Sequence, residues 1–327
     1  MLRIFKKITL LALWTSLSFS VCSKDKNLDP HTALVLEIYE LMQAHVLTKE
    51  QIDWQTLKQD TLGLLGNTPT LQNRDQAIFH LVKASKTNHT FFRNHQTGKV
   101  IFYSDLKCKS EISDTRADKD IPEDIGYLSV PGFVGGDRQK SNTFSRSLQS
   151  QIKQQDNAEL KGWIIDLTSN SGGNMWPMLA GLTPILGNNS LGQFVTTDGS
   201  VTTWGAYDGR LLRNNTNTIY SVDSYKLKSK DLPIAVLTSK RTASSGEASL
   251  IALKALPNTR TFGENSCGQS TANKSYQLST GDALILTVSV MADKHGNPYG
   301  SSIRADVSTL EPIQQAVEWI YSHSTRH

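Results

Sequence analysis

Apolar residues fall into two periods along the chain, and the change from one to the other divides it. From Thr32 the spacing is helical: Leu34, Ile38, Leu41 and Met42 recur at three or four residues and share one helix face. A second helix is expected over 49–65, with Ile52, Leu57 and Leu64 inward. A third is expected over 75–86, with Ala77, Ile78, Leu81 and Val82 as its stripe. After Thr87-Asn88-His89-Thr90-Phe91-Phe92 the apolar residues gather into short runs: 98–103, 125–131, 163–167, 234–237 and 259–263. Runs of that length bounded by polar turns predict buried strands. Helical patterns lie between them, over 141–155 with Phe144, Leu148 and Ile152, over 175–186, and from Ala248 to Leu256. Strands alternating with helices imply a βαβ-type core, hence an α/β fold.

The remainder follows the same reading. Residues 188–230 are rich in Asn, Thr, Ser and Gly and predict an insertion of short strands and loops. Tyr276–Leu278 and Ala283–Met291 predict a hairpin around Gly281-Asp282, with 264–272 a loop. Glu311-Pro312 opens a last helix, proline being favourable in a first turn, with Ile313, Val317 and Ile320 inward. The expected organisation is a helical N-terminal domain over 24–96 and a larger core domain over 97–327.

The first twenty residues stand apart. Arg3, Lys6 and Lys7 precede an apolar run from Ile8 to Leu13, continued by Trp14 and Leu17, and Ser18 and Ser20 are the small residues before a cut. This is the pattern of an export signal over 1–20, too short to span a bilayer. Cys22 leaves a second possibility, lipidation, although Phe19-Ser20-Val21-Cys22 matches a lipoprotein signal poorly. The expected location is periplasmic or secreted, with membrane anchoring only if Cys22 is acylated. Without 1–20 the chain has 31 basic against 30 acidic residues, and no dense basic patch speaks for nucleic acid. Cys108 and Cys267 then remain either as a disulfide or as two buried thiols.

Candidate chemistry lies at two turns. Thr242-Ala243-Ser244-Ser245-Gly246-Glu247 joins an apolar strand to a helix. Such a turn exposes a hydroxyl where helix N–H groups favour negative charge, as a serine nucleophile requires. The plainer reading is a helix cap, with Glu247 closing a capping box on Ser244. Ser171-Gly172-Gly173 is also a strand-to-helix turn, and paired glycines let backbone N–H groups approach a substrate closely. His89 is flanked by Asn88 and by Thr90-Phe91-Phe92.

Several ordered motifs resemble those of the S41 peptidases, the tail-specific (C-terminal processing) protease family. Asp166-Leu167-Thr168-Ser169-Asn170-Ser171-Gly172-Gly173 is similar to the family's D-L-R-x-N-x-G-G, and Thr242–Glu247 to its nucleophile turn. Gly263-Glu264-Asn265-Ser266-Cys267-Gly268-Gln269-Ser270-Thr271 resembles G-E-x-T-x-G-x-S-T, and Ile125–Pro131 the strand that opens the core. The resemblance covers about 75–320. It implies a ClpP/crotonase-like ββα core and a serine peptidase acting on peptides or unfolded chains. It places the nucleophile on Ser244 and an oxyanion hole on the N–H groups of Gly172, Gly173 and Ser245. The family's catalytic lysine falls on Gln269, which cannot act as a base. His89 within Asn88-His89-Thr90 matches instead the histidine of the tricorn-like branch. Asn88, Gln269 and Glu247 are expected to support the site.

That branch also uses a glutamate, and none occurs over 299–302; Asp306 is read as structural. Some 35 residues separate His89 from Gly126, too few for the PDZ domain of the processing proteases. No cofactor and no metal are expected. The alternative is a catalytically inactive module on the same fold that binds an apolar ligand or a peptide.

Overall fold

The structure is a computed structural model that describes residues 28–112, 121–223, 225–229 and 231–324. The export signal over 1–20 and Cys22 lie outside the described residues. No described helix is long and apolar enough to cross a membrane.

Three α-helices come first among the described residues: α1 (Pro30–His45), α2 (Trp54–Leu65) and α3 (Leu71–Ala84). The expected second helix is divided. Lys49–Gln51 form one 3-10 turn, and Asp53 restarts the chain as the N-cap of α2 by accepting from Thr56 N. Counting from Trp54 brings Leu57, Thr61 and Leu65 inward and leaves Leu64 exposed, so the expected inward position is corrected by one residue. The stripe of α3 is as expected, with Ala77, Ile78, Leu81 and Val82 all buried.

Two short strands follow, β1 (Phe91–Arg93) and β2 (Val100–Phe102), paired antiparallel. The expected boundary at 96/97 falls between these two strands. The apolar faces of α1–α3 pack on Phe92 and Ile101, and on Leu278, Leu284 and Leu286 from near the C-terminus. The helical unit therefore closes its core with residues from far along the chain.

The α/β core is built in chain order from β3 (Ile125–Ser129), α4 (Arg138–Gln155), β4 (Gly162–Asp166) and α5 (Met175–Leu186). Then comes an antiparallel insertion, β5 (Asn189–Thr196), β6 (Val201–Tyr207), β7 (Arg210–Arg213) and β8 (Asn217–Ser221). The core resumes with β9 (Ile234–Thr238), α6 (Ser245–Lys254) and β10 (Thr259–Gly263). β11 (Thr271–Gln277) and β12 (Ala283–Ala292) form the hairpin, and β13 (Val307–Ser308) and α7 (Pro312–Ser324) are the last described elements. β11 starts five residues before the expected Tyr276, because Thr271 to Ser275 already pair with β12.

A five-stranded sheet in the order β13-β10-β9-β4-β3 is parallel throughout its described pairs. Its two inner strands, β4 and β9, are buried at every residue because both faces are covered. Trp163, Ile165 and Val236 face a cluster with α4, α5 and α6, while Ile164, Ala235 and Leu237 face one with α7. The second sheet runs β2-β1-β12-β5-β6-β7-β8, with β11 on β12. β12 joins the parts: one stretch pairs with β1 and another with β5. Cys108 and Cys267 form a disulfide with Cα atoms 5.0 Å apart, which decides between the two readings of these cysteines.

Candidate active site

The C-terminal ends of β4 and β9 lie side by side in the parallel sheet, and each runs into a turn before a helix. After β9 the turn is tied to the neighbouring one. Thr242 Oγ1 donates to Leu167 O at 2.8 Å and Ala243 N to Asn170 O at 3.0 Å. Ser244 then takes φ +54° and ψ −115°, a conformation that side chains rarely adopt. Holding a residue there costs roughly 1–3 kcal/mol, and such strain gathers at functional positions. Its N–H donates to Glu247 Oε2 at 2.9 Å, the glutamate half of a capping box. The two serines differ. Ser244 is half-buried, whereas Ser245 is buried and its hydroxyl donates to Gly173 O at 2.7 Å.

The turn after β4 lies against this elbow. Asn170 is fully buried, with Nδ2 donating to Val130 O and Oδ1 accepting from Gly172 N, both at 3.0 Å. Gly172 has φ +100°, and a Cβ there would sit 2.8 Å from Ser244 Cβ and 3.1 Å from Ser245 N. At Gly173, with φ +120°, a Cβ would fall 2.0 Å from Phe133 O. Neither position admits a side chain. The N–H of Gly172, expected in the oxyanion hole, donates to Asn170 Oδ1. The N–H groups of Gly173 and Ser245 have no acceptor among the described residues.

His89 stands two residues before β1 and is 8% exposed. Its Nδ1 meets Thr271 Oγ1 at 2.8 Å, and its backbone O accepts from Asn273 Nδ2 at 3.0 Å. Burial alone lowers its pKa from the ordinary histidine range to about 4, so the ring is neutral at physiological pH. Among the described residues no carboxylate bonds it. Asn88 was expected to help orient the ring, but its side chain accepts from Asp105 N at 2.8 Å instead. Its backbone O accepts from Gln269 Nε2 at 3.0 Å, so Gln269 holds the histidine segment as a hydrogen-bond donor. Asp306 accepts from Thr261 N and Oγ1 and pairs with Lys254, a structural arrangement.

The segment 266–271 joins the elbow to the histidine. Cys267 N donates to Thr242 O at 2.8 Å, and Gly268 N to Glu247 Oε1 at 2.9 Å. Gln269 and Thr271 then hold the histidine segment. Thr271 is the residue that sequence reasoning missed. It lies within a quoted motif, but 182 positions separate it from His89 and nothing local announces the contact.

An α/β fold with a ClpP/crotonase-like core, in which a strained serine elbow faces a pair of glycines, is the class this molecule defines. The chain belongs to peptidase family S41, whose model matches residues 124–309. It is 27% identical over 271 residues to a nisin-resistance protein of Lactococcus lactis subsp. lactis, a match covering 83% of this chain and 80% of that one. Its fold is similar to that of a lipoprotein from Streptococcus agalactiae, with a TM-score of 0.71, 24% identity and coverage of 90% and 98%. The photosystem II D1 C-terminal processing protease shares the fold at a TM-score of 0.51 and 14% identity, with 87% and 94% covered.

Proposed function

We propose that the chain is an exported serine peptidase that cleaves peptide bonds through an acyl-enzyme on Ser244, with His89 as general base in the manner of the tricorn-like branch. The observation that carries the reading is the elbow. Ser244 is held at positive φ at the start of α6, with the Gly172-Gly173 turn packed on its Cβ. Nothing about a helix cap requires that strain or that contact. Ser244 fits the role better than Ser245, whose hydroxyl is committed to Gly173 O.

In this reading Nδ1–H of His89 donates to Thr271 Oγ1, which leaves Nε2 as the acceptor for the Ser244 proton. Ser244 Oγ attacks the substrate carbonyl, and the N–H groups of Gly173 and Ser245 receive the oxyanion. When the C–N bond breaks, the proton on Nε2 passes to the leaving amine. Water then hydrolyses the ester by the same proton transfers in reverse. A ring buried as a neutral base is ready to accept a proton across physiological pH.

Export is supported by the basic and apolar pattern over 1–20 and by the Cys108–Cys267 bridge, which suits an oxidising compartment. The substrate class is peptide. Nisin is the first candidate to try, since a relative is named for resistance to it. The test is hydrolysis of nisin and of a panel of linear peptides, followed by mass spectrometry. Native protein is expected to cleave, and Ser244→Ala and His89→Ala to lose at least about a thousandfold in rate. Cleavage that survives Ser244→Ala contradicts the mechanism. Binding without cleavage by native protein would favour the inactive module instead.

A further inference from the structure

Glu247 is fully buried, and its carboxylate is met by two backbone N–H groups and a hydroxyl. Oε2 accepts from Ser244 N at 2.9 Å, and Oε1 accepts from Ser266 Oγ at 2.6 Å and Gly268 N at 2.9 Å. One oxygen therefore holds the elbow. The other holds the segment that leads through Gln269 to Asn88 and through Thr271 to His89. A helix cap needs only the first of these bonds. A buried carboxyl that bridges two separately folded pieces of a site does something more.

We propose that Glu247 is a positioning residue: its carboxylate sets the Ser244 elbow and the His89-bearing loop in one frame, and the site is assembled only while both oxygens accept. The proposal rests on the peptidase reading above. It follows from the geometry alone, because the ionised group can accept at both oxygens, whereas a protonated one must turn one oxygen into a donor. Ser244 N and Gly268 N can only donate, so a hydrogen on the carboxyl finds its one acceptor in Ser266 Oγ, whose own bond to Oε1 is then lost.

The surroundings give this a pH dependence. Burial raises the Glu247 pKa from the ordinary carboxylate range to about 7, against the bonds from Ser266, Gly268, Ser244 and Gln269 that lower it. No charged side chain contributes to that balance. Of the elements packed on α6, α5 and β5 contain no charged residue and Arg260 of β10 is exposed. Lys254, at the far end of α6, pairs with Asp306. The ionised form is the assembled one, so activity should rise with pH through about 7. His89, lowered to about 4, titrates well below that limb. Because burial favours the protonated carboxyl in the folded chain, stability should fall as pH rises from the ordinary carboxylate range through about 7.

The experiment is the rate of Ser244 labelling by a fluorophosphonate probe from pH 5 to 9, with kcat and KM for a cleaved peptide alongside. Native protein should show an acid limb near pH 7. Glu247→Gln should lose that limb and label at least about tenfold more slowly at pH 8, with KM little changed. It should also lose the fall in stability with rising pH. Ser266→Ala keeps the carboxyl but removes one donor to its charged form, so its limb should move to higher pH. It serves as the readout if Glu247→Gln does not fold. Native labelling whose limb is unmoved by Ser266→Ala or retained in Glu247→Gln overturns the positioning role and leaves the peptidase reading standing. Absence of Ser244 labelling at every pH overturns both.

Discussion

The imidazole of His89 is held through Nδ1 by a hydroxyl, Thr271 Oγ1, at 2.8 Å. In an acid-supported triad the carboxylate selects the tautomer and also stabilises the imidazolium that forms during reaction. A threonine can select the tautomer, but it offers only a dipole to the cation. As the proposed base, His89 would be always available but not strongly basic, since burial lowers its pKa to about 4. Removing the hydroxyl should leave the ring free to adopt the wrong tautomer. Thr271→Val, nearly the same shape, is expected to lower kcat by about 10- to 100-fold with KM little changed, and Thr271→Ser to retain most of it. Steady-state kinetics on the two variants would check this, and a valine variant that matches the native protein would remove Thr271 from the proposed mechanism.

At the scale of elements, the site is made by two parallel strands that end together. β4 and β9 are neighbours, so the turns that follow them are packed against each other without any long-range search. That packing sets the residue types. With φ +100° and a Cβ placed 2.8 Å from that of Ser244, position 172 accepts only glycine without moving the elbow. Gly172→Ala is therefore expected to reduce kcat far more than it reduces stability. Gly199, also at positive φ (+79°) but with nothing within 4 Å, is the control. Gly199→Ala should cost roughly 1 kcal/mol in denaturant unfolding and leave kcat unchanged. Equal effects of the two substitutions on kcat would argue against a contact that matters for catalysis.

The same scale explains what could be read in advance. Strands β4 and β9 were legible because both faces of each are buried and their apolar residues run together, as in Trp163-Ile164-Ile165, whereas the two-residue edge strand β13 carries no such run and was not expected. Helix α5 was legible to the residue, bounded by Asn174 as cap and Gly187 beyond its end. The division of 49–65 was not, because Ile52, Leu57 and Leu64 fit a helical spacing until Asp53 is recognised as a cap. The elbow and the glycine turn were legible as motifs. What each N–H does was not, because Gly172 bonds an asparagine side chain whose orientation depends on Val130 O, 40 positions away. The partner of His89 was hidden for the same reason.

Across the whole molecule, the two proposed catalytic residues come from distant parts of the chain. His89 belongs to the helical end and Ser244 to the turn after a strand of the parallel sheet, and segment 266–271 bonds both the Ser244 elbow and the His89 segment. The Cys108–Cys267 disulfide anchors that segment to the loop after β2, closing 159 positions of sequence. Closing a loop of that size should be worth up to about 5 kcal/mol in the oxidised protein. Unfolding by denaturant with and without reductant would measure it, and identical midpoints would show that the bridge adds nothing. Cys267 N also bonds Thr242 O, two residues before Ser244, so reduction is expected to lower labelling of the serine as well as stability.

The central claim is that Ser244, and not its neighbour, is the nucleophile. Native protein treated with a fluorophosphonate probe near pH 8, digested and sequenced by mass spectrometry, addresses it most directly. A single adduct on Ser244 is expected, absent from both Ser244→Ala and His89→Ala. An adduct on Ser245, or labelling unaffected by loss of His89, would contradict it.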